Sequence, residues 1–184
     1  MRRALRYLVL CIYILSIVSC GNRKKQNTND IYLSALLDYV GELEEQSKNL
    51  LINDQLVFYG NDSLKNFLLS SLPPEDILFF YFSEQTCIPC INQTIEIITE
   101  NFPDYTHNEK IIFIAHDIHT RNRDNCYGKR LLTFYLRDIG LPIENLNMPF
   151  FFTLNEDMAI STIHFVIKED FERTALFIKS FACH

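Results

Sequence analysis

The sequence predicts an α/β domain in which buried strands alternate with helices, and three features carry that prediction. Ile77-Leu-Phe-Phe-Tyr-Phe82 and Lys110-Ile-Ile-Phe-Ile-Ala115 are short, nearly continuous apolar runs, the pattern of strands covered on both faces. Between them Ile91, Ile95, Ile98 and Phe102 recur at helical spacing, so a helix joins the two strands. With 48% hydrophobic and 22% charged residues, and only 5 Gly and 6 Pro in 184 residues, the composition fits one ample core and excludes a disordered or collagen-like chain.

Each further element follows from its own pattern. From Ile31 to Leu51, the residues Leu33, Leu36, Leu37, Val40, Leu43 and Leu50 fall mostly at helical spacing and predict an amphipathic helix. Gln55 to Tyr59 reads as a short strand. Asn61, Asp62 and Ser63 offer caps for a helix through Leu72, which Pro73-Pro74 would end. After the first buried strand, Cys87 to Asn101 is the connecting helix, and His116 to Asn125 is a polar loop beyond the second strand. Tyr127 to Ile139 is expected to be helical, closed by Gly140 and Pro142. Phe150 to Leu154 and Met158 to Ile167 form a hairpin across the turn Asn155-Glu-Asp157, and Glu169 to Phe181 is a closing helix.

The N-terminus reads as an address. Arg2, Arg3 and Arg6 precede an uncharged stretch from Tyr7 to Asn22. Its apolar centre falls short of the roughly 20 residues of a membrane-spanning helix and suits the about 7–15 of an export signal. Ile17-Val-Ser-Cys20-Gly resembles a bacterial lipobox, in which Cys20 becomes a lipid-bearing N-terminus, although Val18 is bulkier than the usual small residue. The expectation is a lipoprotein signal peptide over residues 1–19, a polar tether over 20–30, and a domain over 31–184 whose segment 31–51 is a helical extension. A short uncleaved anchor is the alternative. Either one tethers the protein to a membrane of the bacterial envelope, facing the periplasm, where disulfides form. Net charge is 17 − 23 = −6, and 14 − 23 = −9 once the three signal arginines are removed, which argues against a nucleic-acid partner.

The chemistry concentrates at Cys87-Ile88-Pro89-Cys90, directly after a buried strand and at the start of a helix. Two thiols at this spacing on a first turn can close a disulfide with little backbone movement. Unsatisfied amides and the partial positive charge of a helix N-terminus favour a thiolate at the first of them, Cys87, and lower such a thiol to roughly 3.5–7.5. Cys90, one turn deeper, is expected to be buried and to resolve a mixed disulfide. Pro89 fits because a first-turn proline has no amide to satisfy.

With this motif the chain resembles the thioredoxin superfamily, from about Gln55 to Phe181. A second mark is Met148-Pro149, ahead of the final hairpin, where the family carries a cis-proline facing the two cysteines. The lipobox and the CxPC proline are similar to the membrane-tethered, TlpA-like branch. The resemblance implies a thioredoxin-like fold, with a central mixed β-sheet flanked by helices and an extra N-terminal helix. It implies catalysis by Cys87 and Cys90, and client binding by Met148, Pro149, Thr86, Ile88 and Pro89. It needs no cofactor beyond the redox-active Cys87–Cys90 disulfide. Two positions depart from the family: Thr86 replaces a common Trp before the first Cys, and Tyr81 stands where some members bury an acid.

Other candidates carry a plainer reading beside the sharper one. Cys126 is a possible third redox thiol or a buried small hydrophobe. Cys183 could be a free thiol or join two chains. His116 and His119 could be drawn with Cys87 and Cys90 as a zinc site, but a redox pair without a second CxxC makes no metal the expectation. His164 is expected to be a packed strand residue. The resulting expectation is an extracytoplasmic thiol–disulfide oxidoreductase, acting as a reductase on protein thiol or disulfide clients and recharged by a membrane electron-donor protein; an oxidant partner would serve the reverse direction. The rivals are a redox-inactive binding module for an envelope peptide or protein, and a peroxide-reducing enzyme.

Overall fold

The computed structural model describes residues 30–73, 77–116, 118–135 and 138–182. The signal peptide, Cys20, most of the tether and Cys183 lie outside the described residues. The chain divides into two units, Met1–Glu42 and Leu43–His184. The first, where described, is the opening part of helix α1 (30–47). The second holds the last turn of α1 and everything that follows.

That second unit is built on a seven-stranded sheet: β1 (Leu56–Tyr59), β2 (Phe67–Leu68), β3 (Leu78–Ser83), β4 (Ile111–His116), β5 (Leu132–Phe134), β6 (Phe150–Leu154) and β7 (Ile160–Phe165). The strand order is β2-β1-β5-β4-β3-β6-β7. Helices α2 (Ile88–Asn101) and α3 (Phe171–Ala182) follow β3 and β7. β3 runs parallel to β4 and antiparallel to β6, and β6 pairs antiparallel with β7. The fold is thus the expected mixed sheet with helices, and the segment β3-α2-β4 with β6-β7-α3 has the thioredoxin-like arrangement.

All six residues of β3 are buried, as a central strand requires. Leu78, Phe80 and Phe82 join Ile91 and Ile98 of α2, Ile178 of α3, Phe113 and Phe151 in one apolar cluster. Alternation along the strand sends Phe79 and Tyr81 to the opposite face. There Phe79 stacks on Phe152 at 4.9 Å and Tyr81 on Phe150 at 4.7 Å between ring centroids.

Three sequence-based expectations are corrected. The helix expected to run to Leu51 stops at residue 47, followed by Asn49 in the left-handed region (φ 64°). Residues 49–52 instead cover the outer edge of β7: Asn49 N–H donates to Ile160 O and Ile160 N–H to Leu50 O, both at 2.9 Å. An uncovered edge would leave those groups open to pairing with another chain.

The helix expected over Asn61–Leu72 is absent. Its polar residues make turns (Lys65 N–H to Asp62 O, 3.1 Å), and Asp54 accepts from both Ser70 N–H (3.0 Å) and Ser70 Oγ (2.8 Å). β1 meanwhile takes Phe67–Leu68 as its antiparallel neighbour. Leu64, within that segment, is 93% exposed.

The helix expected from Tyr127 is replaced by a tight turn and β5. Tyr127 (φ 50°) and Gly128 (φ 82°) are both left-handed, a pair that no α-helix contains. Cys126 and Lys129 exchange two backbone hydrogen bonds across the turn (2.7 and 3.0 Å). Leu132–Phe134 then lies between β1 and β4, satisfying one edge of each. The closing hairpin and α3 match expectation. Asn155 Oδ1 caps the turn by accepting from Asp157 N–H (3.0 Å) and Ala159 N–H (2.9 Å).

Candidate functional site

β3 ends at Ser83, and a four-residue turn delivers the chain to α2. Thr86 Oγ1 accepts from Ser83 N–H at 3.0 Å and lies 3.2 Å from Ser83 Oγ, while Thr86 N–H donates to Ser83 O at 3.0 Å. Both side chains are buried, Thr86 with 3% of its surface exposed. Thr86 is therefore a latch holding the turn shut, and the expectation that it faces a client is corrected: its one hydroxyl is spent inward.

The latch sets Cys87 as the N-cap of α2, with φ −51° and ψ 109°. Its Sγ accepts from Cys90 N–H at 3.4 Å, and its carbonyl accepts from Ile91 N–H at 3.1 Å. Pro89 occupies the first turn, where a missing amide costs nothing. Cys87 and Cys90 are joined in a disulfide with Cα atoms 5.2 Å apart, inside the ordinary range. The two sulfur-bearing residues differ in access: Cys87 is exposed and Cys90 is 6% exposed. Ile88, 64% exposed, and Pro89, also exposed, form the apolar lip beside Cys87. The first turn of α2 carries no acidic side chain, so no carboxylate offsets the positive helix end.

The register Tyr81↔Phe150 and Phe80↔Phe151 continues to place Met148 and Pro149 beside the last residues of β3, at the sheet end where Cys87 sits. Met148 is half-buried and Pro149 buried. Among the described residues no peptide bond is cis, which corrects the expectation for Met148-Pro149. The chain reversal comes one residue earlier: the 3₁₀ turn Pro142–Leu146 ends on Asn147 in the left-handed region (φ 54°), and Pro149 enters β6 in trans with its carbonyl accepting from Val166 N–H at 2.9 Å.

The same 3₁₀ turn supplies a residue that sequence reading missed. Tyr81 is buried, and its hydroxyl donates to Glu144 Oε2 at 3.0 Å. Glu144 also accepts from Leu141 N–H at Oε1 (2.7 Å) and from Ile139 N–H at Oε2 (3.2 Å). An acid absent from β3 itself thus reaches that strand from a distant segment. The signal for it was Pro142 followed two residues later by Glu144, a helix-start pattern. Glu144 lines a cleft of about 640 Å³ with Ser83, Glu84, Asp138 and Asn147, next to the turn that leads to Cys87.

Cys126 is free and buried in the same apolar cluster as Ile91 and Phe82. Burial pushes its thiol up to about 11, so at neutral pH it is an un-ionised packing group, not the poised third redox thiol considered from sequence. His164 is also buried. Its ring stacks on Phe177 at 4.5 Å, and Nε2 lies 3.1 Å from Thr174 Oγ1. Burial, then the Arg173 charge, pull its pKa down to about 3, so it is neutral. Arg173 in turn pairs with Glu44, whose other oxygen accepts from Phe165 N–H at 2.8 Å. Among the described residues no three His, Cys, Asp or Glu side chains converge as a metal site.

No protein-family model matches the chain, and no curated protein matches it. Solved structures with a similar backbone include an uncharacterized thioredoxin-like protein from Porphyromonas gingivalis (15% identity, 74% of this chain and 94% of that one, TM-score 0.47). A secreted thiol-disulfide isomerase from Corynebacterium glutamicum is similar at 14% identity, over 70% of this chain and 85% of that one, with a TM-score of 0.42.

Proposed function

We propose that the protein is a thiol–disulfide oxidoreductase that exchanges disulfides with protein clients, acting as a reductase. One observation carries this reading: a disulfide at a helix N-terminus with its first cysteine exposed and its second buried. In the reduced protein, the Cys87 thiolate attacks one sulfur of a client disulfide. The client's other sulfur leaves as a thiolate and takes up a proton, and Cys87 is left in a mixed disulfide. Cys90 then loses its proton and attacks Cys87 Sγ, so that the second client sulfur departs and the Cys87–Cys90 disulfide closes. Two electrons have passed to the client, and a membrane electron-donor protein returns them. The lipobox-like Ile17–Gly21 supports a lipid anchor at Cys20 and work on the periplasmic side of a bacterial envelope.

Replacing Cys90 by Ser tests the chemistry. Cys90→Ser should accumulate clients covalently held on Cys87 and released by a small dithiol, whereas Cys87→Ser should hold none. The reduction potential of the pair sets the direction. A value near the roughly −270 mV of thioredoxin fits a reductase, and one near roughly −120 mV an oxidant. A pair that neither cycles nor traps would leave a binding module in place of an enzyme.

A further inference from the structure

We propose that a cavity at the other end of the sheet from the disulfide binds a small amphiphilic anion, a carboxylate on an apolar body. Ile77 precedes β3 and Ile111 opens β4, whereas Cys87 follows the far end of β3. Six residues of strand separate the two places by about 20 Å. The cavity measures about 740 Å³, within the roughly 300–1,000 Å³ of small-molecule sites. Phe67, Leu72, Pro73, Ile77, Ile111 and Ile112 make one part of its wall apolar.

Eight of the fourteen lining residues are polar, and the charged ones among them are mostly cationic. Among the described residues of the lining, Lys110, Lys129 and Arg130 stand against one carboxylate, Glu109, a balance of 3 − 1 = +2 in a chain of net charge −6. Arg130 donates to Tyr59 O at 2.8 Å and shares its charge with Asp124 at 3.6 Å, outside the lining. Lys129 is the unusual member. It is 9% exposed, and its ammonium donates to two carbonyls, Tyr105 O (2.6 Å) and Asn108 O (2.8 Å). Among the described residues no carboxylate forms an ion pair with it, although Asp104 and Glu109 both act on its charge through space. A buried ammonium is costly unless an anion meets it. Burial lowers its pKa to about 8, which leaves it largely charged at neutral pH. Two carbonyls thus hold the positive head of a residue that lines the cavity. That arrangement selects one negative charge with hydrocarbon behind it, in preference to a neutral or cationic amphiphile of the same size.

The chain has no Trp, so Phe67→Trp places a single fluorescent reporter in the cavity wall. Titrating the full chain carrying this change with octanoate, octan-1-ol and octylammonium should give a saturable emission change. Octanoate should bind at least tenfold tighter than octylammonium, and decanoate tighter still by up to about fourfold per added methylene. Lys129→Met should weaken octanoate at least tenfold and leave octan-1-ol unchanged. Should that variant fail to fold, unfolding of the unaltered chain gives the same comparison: octanoate should raise its midpoint and octylammonium should not. The Cys87→Ser, Cys90→Ser double variant should bind octanoate as the parent does. No saturable response to octanoate, equal response to all three probes, or binding that vanishes with the two cysteines would overturn the proposal.

Discussion

Thr86→Val removes one hydroxyl from the turn before Cys87 and keeps the shape of the side chain. Thr86 Oγ1 is the acceptor for Ser83 N–H at 3.0 Å and the neighbour of Ser83 Oγ at 3.2 Å, and both residues are buried. In the variant a buried amide loses its partner where water does not readily replace it. Leaving such a donor unsatisfied costs about 1–3 kcal/mol. In a domain of this size each kcal/mol lowers the unfolding midpoint by about 2–4 °C. The assay is urea unfolding of the oxidised protein beside Thr86→Ser, which keeps the hydroxyl and loses one methyl group, about 0.8 kcal/mol. The expected order of stability is parent, then Ser, then Val. A Val variant within 0.5 kcal/mol of the parent, on the scale of the roughly 1 kcal/mol minimum expected here, would refute the latch. A Ser variant weaker than Val would refute it too.

Three other outcomes follow from the same structure. With its thiol raised to about 11, Cys126 should be only about one part in a thousand thiolate at pH 8, and alkylation followed by peptide mass mapping should find it unlabelled until denaturant is added. His164 is depressed from 6.5 to about 3, so the unfolded chain binds its proton first as pH falls. Stability is then complete above pH 6.5 and declines below it, by at most about 1.4 kcal/mol per pH unit, and His164→Gln should flatten urea midpoints measured between pH 7 and 5. Gly60 has φ +62°, and a Cβ there would lie 2.0 Å from Asp124 Oδ1. Gly60→Ala should cost about 1–3 kcal/mol in the same unfolding assay, because it combines a disfavoured backbone with the loss of the Asn61–Asp124 hydrogen bonds.

What the sequence by itself determined is the centre of the molecule and the place of its cysteine pair. β3 and β4 are legible because a strand buried on both faces must be apolar throughout, and α2 because its apolar residues repeat at helical period. The CxPC pair is local: four consecutive residues at a strand-to-helix junction carry their own geometry, including one exposed and one buried cysteine. The hairpin β6-β7 and α3 are legible for the same reason, since short-range pattern and turn chemistry suffice. Tertiary structure alone decided what lies at the sheet's outer strands. Residues 61–72 and 127–139 have helical apolar spacing, yet β1, β4 and β5 had open edges whose backbone groups needed partners, and that need is invisible in any local window. It also decided the fate of single side chains. Thr86 turned inward, Pro149 entered β6 in trans after a left-handed Asn147, and Glu144 came to Tyr81 from sixty-three residues away. Each depends on a contact across the chain, and a contact of that range leaves no periodic trace in the sequence.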